Sequence, residues 1–282
     1  MLFYTYVAKK SYRKIAMENF LYFKIFKNLI NHRSLLYMLA WRDIKIKYKQ
    51  SVMGILWAIF MPMLIVAAGM LVRFAFSVVS GKPTELADIA SVSVRAVPWA
   101  FFVASIRFST LSLISNTNLV TKIYFPRELF PFSSIISQFF DFLIASIVIC
   151  IALTIAQVGI NIQILWVPVL LLPLIILILG LGVLLSSLAL FLRDVKYLVE
   201  VIMTFGIFFT PVFYDVKMFG HWAYILMLNP LAPILEGLSS CIVYHAAPDV
   251  NWMAYSYTVS IMIFLAGLSI FKKLESSFAE NI

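Results

Sequence analysis

The 282-residue chain is 63% hydrophobic and 16% aromatic, and only 12% of its residues are charged, a composition that exceeds what the core of a soluble domain needs. It therefore falls in the class of integral membrane proteins. The net charge of +9 does not indicate nucleic-acid binding, because so apolar a chain offers no basic face to a duplex. Cys150 and Cys241 lie far apart without metal-ligand spacing, so we expect no metal site.

Residues 1–51 mix aromatic and basic side chains and contain no uninterrupted apolar segment of the kind found in a cleaved signal peptide, so we expect a cytosolic N-terminal arm. Across residues 20–40 the apolar side chains recur at a spacing near 3.6, which predicts an amphipathic helix lying at the membrane interface. A basic group then precedes the first long apolar run. Its members should hold the arm inside and attract it to anionic headgroups: Arg42, Lys45, Lys47 and Lys49.

Six segments are predicted to cross the membrane, because about 20 apolar residues are needed for one crossing. They are residues 52–79, 96–114, 133–158, 164–192, 197–213 and 252–271. Region 215–248 holds two shorter apolar pieces split by Asn229, Pro230 and Pro233, which predicts a re-entrant helical hairpin, with a seventh span as the alternative. The expected fold is an all-α integral membrane protein with six transmembrane helices, an N-terminal amphipathic interface helix and a re-entrant hairpin before the last span.

The placement of basic residues favours six spans over seven. In the six-span arrangement almost all Lys and Arg residues outside the spans fall on the side of the N-terminal arm, as the positive-inside rule requires. Both termini are then cytoplasmic, including a tail at residues 272–282. A seventh span would move Lys272 and Lys273 to the outside.

Arginines within the predicted spans are expected to face protein or water, because a charge at the membrane centre costs about 2.5–3.5 kcal/mol on insertion scales. Arg73 and Arg107 are predicted to be channel charges, and Arg107 is the better placed of the two. The alternative for both is a buried ion pair, for instance between Arg107 and Asp141.

Four motifs together resemble the ABC-2 type permeases, and most closely the membrane subunits that export O-antigen, capsule or teichoic-acid polysaccharides. The motifs are WRDIKIKYKQSVMGILWAIFMPM at 41–63, NLVTKIYFPRELFPFSSIISQFFDF at 118–142, FLRDVKYLVEVIMTFGIFFTPVFY at 191–214 and LNPLAPILEG at 228–237. The resemblance covers roughly residues 35–270, in the order and spacing of the family.

The resemblance implies a transport subunit and not an enzyme. In the family, two copies of the permease form a channel above two copies of a cytosolic ATPase, which binds ATP and Mg; this chain has no phosphate-loop motif and no cofactor of its own is expected. The implied substrate is a polysaccharide on undecaprenyl diphosphate, moved from cytoplasm to periplasm across the bacterial inner membrane. The re-entrant hairpin would lie on the periplasmic side.

By the same resemblance, residues 116–127 form the coupling helix that contacts the ATPase. The contact residues are expected to be Asn118, Lys122, Tyr124 and Arg127. A simple polar turn with basic anchors is the alternative.

Substrate contacts are expected from two groups. The basic group Arg42, Lys45, Lys47 and Lys49 could flank the lipid diphosphate or headgroup, or form only local ion pairs and anchors. Aromatic rings could stack on sugar rings, although many will be ordinary packing or interfacial belt. The aromatic candidates are Trp99, Phe102, Phe108, Phe205, Phe209 and Tyr214, with Phe101, Phe208 and Phe213 in a wider set.

Two other functions stay open on sequence alone. One is export of a drug or another lipid by the same fold. The other is a membrane-embedded glycan-modifying enzyme, which would need clustered acids; Asp215, Glu236 and Asp249 lie in outside segments but have no motif spacing.

Overall fold

The computed structural model describes residues 27–49, 53–54, 56–81, 85–122 and 126–278. All regular elements in these ranges are helical. The α-helices are α1 Arg33–Lys49, α2 Leu56–Ser80, α3 Leu86–Ser115, α4 Thr117–Lys122, α5 Leu129–Ile155, α6 Trp166–Phe191, α7 Val195–Phe205, α8 Ala223–Met227, α9 Leu231–Ile242 and α10 Val250–Glu275. Most of the predicted N-terminal arm, residue Tyr124 and the end of the tail lie outside the described residues.

Five helices within the described ranges are long and apolar enough to cross a membrane. They correspond to the predicted first, second, third, fourth and sixth spans. The second was predicted to begin at residue 96, but α3 begins at Leu86. The ten extra residues include Asp88 and Arg95, which lie before the predicted start of the span; in the structure both are paired with opposite charges on other elements.

The predicted fifth span, 197–213, is not a continuous long helix. Here α7 has 11 residues, and a 3-10 helix at Gly206–Phe209 follows it. Thr210 is extended, with φ −122° and ψ 134°, as expected for a residue that precedes a proline, here Pro211. The count of six spans is therefore not confirmed by helix length.

Region 215–248 consists of a 3-10 helix at Val216–Trp222, then α8 and α9. Most residues of α9 are buried, and the helix packs against α3 and α6. The turn between α8 and α9 is bonded to α10: the Tyr255 hydroxyl donates to the Leu228 carbonyl at 2.8 Å, and the Ser256 hydroxyl donates to the Pro230 carbonyl at 2.9 Å. Pro230 has no N–H, so the chain cannot run through this turn as one regular helix, and the two hydroxyls hold the turn against α10.

Helix α1 packs along α5. Near the start of this contact, the Asn28 amide reaches the Glu128 carboxylate; near its end, Lys47 Nζ lies 3.0 Å from Gln138 Oε1. Gln138 is nine residues into α5, about 14 Å at 1.5 Å per residue. The last turns of α1 therefore lie beside the middle of an apolar helix, and the orientation of α1 to a membrane surface stays a prediction.

Helices α6 and α10 touch backbone to backbone. A Cβ added at Gly180 would lie 2.5 Å from Phe264 Cα, and one added at Gly267 would lie 2.4 Å from the Gly180 carbonyl oxygen. Neither gap accepts a side chain, so glycine is required at both positions. Close approach of this kind is a usual way for helices to associate in membranes.

We expect Gly267→Val to destabilise the protein by about 3 kcal/mol, because the added methyls collide with backbone that cannot move aside. Thermal unfolding of the detergent-solubilised protein measures this. Gly159→Ala is the matched control, since its new Cβ would meet only His245 Nε2 at 3.7 Å. An unchanged melting temperature for Gly267→Val would contradict the contact.

Candidate functional site

A cavity of about 600 Å³ lies between α1, α2, α3, α5 and α7. Its wall is mostly apolar, but it carries several polar side chains. The polar members are Lys47, Arg107, Gln138, Asp141 and Thr204, and the aromatic members are Trp57, Trp99, Phe101, Phe108, Phe142 and Phe213. Such a mixture of convergent polar groups and rings is typical of a binding site.

Asp141 on α5 holds the end of α1 in the cavity wall. One carboxylate oxygen pairs with Lys47 and the other accepts a hydrogen bond from the Tyr48 hydroxyl. Burial first, and then this bond, raise the pKa of Tyr48, so the hydroxyl keeps its proton and donates. Lys47 Nζ also lies 5.5 Å from the Phe108 ring centroid, within cation–π range.

Arg107 forms a solvent-exposed ion pair on the same cavity wall. Its Nη2 lies 2.8 Å from Glu200 Oε1 and donates to the Thr204 hydroxyl at 3.1 Å. The Arg107 side chain is 36% exposed and that of Glu200 is 58% exposed. The Nε atom of Arg107 is nevertheless buried, and it has no hydrogen-bond partner among the described residues. The predicted alternative pair, Arg107 with Asp141, is wrong, because Lys47 occupies Asp141 and Arg107 pairs with Glu200.

Of the basic group that precedes the first span, the structure brings only Lys47 into the cavity wall. Arg42 pairs with Asp43 at 2.8 Å and donates to Asn116 Oδ1 at 2.8 Å. Lys45 is exposed and lies over the Trp41 ring, and Lys49 is exposed. A role for these residues at a lipid headgroup stays a prediction.

Arg73 lies outside the cavity wall, in a separate charge cluster made of Arg73, Asp88, Arg95, Asp215 and Glu236. Its side chain is 5% exposed and pairs with Asp88 at 2.5 Å and Asp215 at 2.8 Å. This placement matches the buried-ion-pair alternative.

Sequence reasoning missed two residues of this cluster, Asp88 and Arg95. Arg95 is fully buried and pairs with Asp215 at 2.6 Å and Glu236 at 2.9 Å. Asp88, Ser91 and Arg95 have helical spacing, and that spacing was a signal that α3 begins before residue 96.

The six predicted aromatic residues separate into three environments. Trp99 and Phe108 line the cavity. Phe102 is buried and stacks on Trp99 at 5.9 Å, and Tyr214 is buried with its hydroxyl bonded to the Phe208 carbonyl. Phe205 and Phe209 are exposed and lie outside the cavity wall. Sequence reasoning missed the lining residues Trp57 and Phe142.

The predicted coupling segment contains the short helix α4. Asn118 is exposed on it, while Val120 is buried in an apolar cluster with Leu129 and Phe130. Arg127 is engaged within the chain, because its Nη1 donates to the Glu275 carbonyl at 2.6 Å. The side chain of Lys122 is outside the described part of the structure.

The model of the family described as ABC-2 type transporter matches residues 34–243. Two O-antigen export system permease proteins RfbA from Klebsiella pneumoniae are each 27% identical over 248 and 249 residues, covering 87% of this chain and 94% of each relative. A protein of the same name from Myxococcus xanthus is 25% identical over 263 residues, covering 92% of this chain and 99% of the relative. The family match extends from α1 to the end of α9 and includes every helix that lines the cavity, so the chain belongs to the ABC-2 type transporter family.

Proposed function

We propose that the chain is the membrane permease subunit of an ATP-driven exporter that moves an O-antigen-like polysaccharide, linked to undecaprenyl diphosphate, from cytoplasm to periplasm. The observation that carries the proposal is the cavity, where Lys47 and Arg107 lie among aromatic rings between apolar helices. Cations suit the diphosphate, and rings stack on the C–H faces of sugars without reading one pattern of hydroxyls. The names of the relatives support the same substrate class.

The cavity favours a glycolipid over the alternatives. A drug or simple lipid would not need two cations in a membrane-embedded wall, since each is costly to place there. The acids that a glycan-modifying enzyme would need have structural roles in this fold. Asp215 and Glu236 pair with arginines, and Asp249 accepts hydrogen bonds from the first turn of α10.

Six crossings and cytoplasmic termini are part of the proposal. Residues 200–215 run antiparallel to α3: Glu200 meets Arg107, a Cβ at Gly206 would lie 3.3 Å from the Trp99 ring, and Asp215 meets Arg95. From Arg107 to Arg95 the rise along α3 is about 18 Å, more than half of the hydrocarbon thickness. Chain 195–215 then supplies the fifth crossing although only its first part is α-helical.

We assign α8 and α9 to a re-entrant hairpin on the periplasmic side. Their connecting turn is bonded to Tyr255 and Ser256, one to two turns inside the start of α10, and the chain then returns to that start at Val250. The protein around this turn supplies partners that lipid cannot.

The exporter would contain two copies of this chain and two copies of a cytosolic ATPase that binds ATP and Mg. The docking surface on this chain would include Asn118 and Lys122 of α4, the short helix in the loop between α3 and α5. Membrane lipids surround the remaining apolar surface, and the complex belongs in the bacterial inner membrane.

Lys122→Glu is expected to reduce retention of the ATPase at least about tenfold when the chain is purified from its native host, because a reversed charge opposes docking. The measurement is the amount of phosphate-loop ATPase and ATP hydrolysis that co-purify. Lys217→Glu, the same reversal at an exposed site in the segment after the fifth crossing, is the control. A wild-type chain that purifies without any ATPase would contradict the proposed function.

A further inference from the structure

Glu128, the residue directly after the predicted coupling segment 116–127, is a fully buried carboxylate bound to the last helix. Its Oε2 lies 3.0 Å from Lys272 Nζ, and Lys272 also bonds Glu275 Oε2 at 2.7 Å. Breaking a buried pair leaves an uncompensated charge, so this contact is not easily exchanged for water. It joins two elements 144 residues apart in sequence.

Arg127 adds two more contacts to the same place. It donates to the Glu275 carbonyl, one of the final carbonyls of α10 that has no partner within the helix. Its guanidinium also lies 5.7 Å from the Phe278 ring centroid. A residue predicted to face the ATPase is therefore bound to the chain's own C-terminal segment.

Phe278 fixes that segment to the helix bundle. It is fully buried, with its ring centroid 5.2 Å from that of Phe271 and 5.9 Å from that of Phe191. Val120 of α4 belongs to the same apolar cluster. The short coupling helix and the C-terminal segment thus share one packed core.

We propose that residues 272–278 form a clamp, in which Lys272 and Glu275 are positioning residues that make the coupling loop and the last span move as one body. This inference rests on the proposed function. Without the clamp, the coupling loop is joined to α10 by apolar packing, through the cluster that contains Val120, Leu268 and Phe271. With it, α10 is also held by charge, and α6 follows because Gly180 and Gly267 hold the two backbones in contact.

The same contacts lead back to the cavity. A Cβ added at Gly182 of α6 would lie 2.8 Å from the Ser109 hydroxyl on α3, two residues beyond Arg107. A shift of the rigid α6–α10 pair therefore displaces α3, the helix that carries Arg107, the partly exposed cation of the cavity. Transmission through packed elements of this kind is a physical connection, and its coupling has to be measured.

The test uses the full chain with its co-purified ATPase in liposomes, and compares Lys272→Gln, Glu128→Gln and the double variant with wild type. Lys273→Gln is the matched control, because it removes the same charge from the neighbouring exposed position. The readouts are ATPase retention, ATP hydrolysis and glycan exported per ATP hydrolysed. Phe278→Ala provides a second route if Glu128→Gln fails to insert.

We expect the single variants to retain the ATPase and hydrolyse ATP while export per ATP falls at least about tenfold. The double variant should recover most of the loss, since two amides can bond each other and the fully buried charge of Glu128 is removed together with its partner. Normal export per ATP in the single variants overturns the clamp alone, and so does a parallel loss of ATPase retention and export. A wild-type chain without ATPase overturns the proposed function and the clamp together.

Discussion

Asp215→Asn is expected to destabilise the permease by about 2–3 kcal/mol, because two buried arginines each lose a charge-assisted bond while keeping one other carboxylate partner, Asp88 or Glu236. Asp215 is the shared partner of two arginines that have almost no contact with solvent, Arg73 at 2.8 Å and Arg95 at 2.6 Å. Both of its oxygens accept from these arginines, Oδ2 from Arg73 and Oδ1 from Arg95. The amide carries no charge and has only one oxygen, so it cannot replace the carboxylate.

The loss should be visible in a specific part of the fold. Asp215 binds Arg73 of α2 and Arg95 of α3, and Arg95 in turn binds Glu236 of α9, so the cluster joins two spans to the proposed re-entrant hairpin. We expect a lower melting temperature in detergent and faster proteolysis between α8 and α10. Asp194→Asn, the same change at an exposed carboxylate, is the control. Equal melting temperatures for the two variants would show that the cluster does not stabilise the fold.

Arg107→Ala is expected to lower export at least about tenfold while insertion, stability and ATPase retention stay close to those of wild type. The stability cost is small because the Arg107–Glu200 pair is largely exposed, and such pairs contribute only about 0–1 kcal/mol. The transport cost is large because Arg107 supplies an accessible positive charge in the cavity, and charge-assisted bonds to phosphate are among the strong ones.

Glu200→Gln separates the transport role from the ion pair. It removes the same salt bridge but leaves the arginine charge in the cavity, so export should stay near the wild-type level. The measurement is surface glycan in cells that produce each variant at equal amounts in the membrane. If both variants lose export equally, Arg107 acts only through Glu200; if Arg107→Ala exports normally, the arginine has no part in transport.

Local sequence determined the membrane class and the position of most long helices. Apolar runs of about 20 residues leave few other structures open to the backbone in lipid, and these runs are visible without any knowledge of packing. Two breaks in the helices were also visible locally, because proline has no N–H and disfavours the helical conformation in the residue before it. Pro211 ends the helical part of the fifth predicted span, and Pro230 precedes α9. The motifs that resemble ABC-2 permeases were readable for the same reason, and the family match agrees with them.

Only the tertiary structure decided which charges meet. Asp141 pairs with Lys47, 94 residues away, and Asp215 with Arg95, 120 residues away, and nothing in the local pattern of either segment specifies those partners. The same composition would allow Arg107 to pair with Asp141, the pairing that proved wrong. Helix propensity and hydropathy depend on near neighbours, whereas the partner of a buried charge is chosen by how the helices pack, because each ion must find an opposite charge within the folded protein.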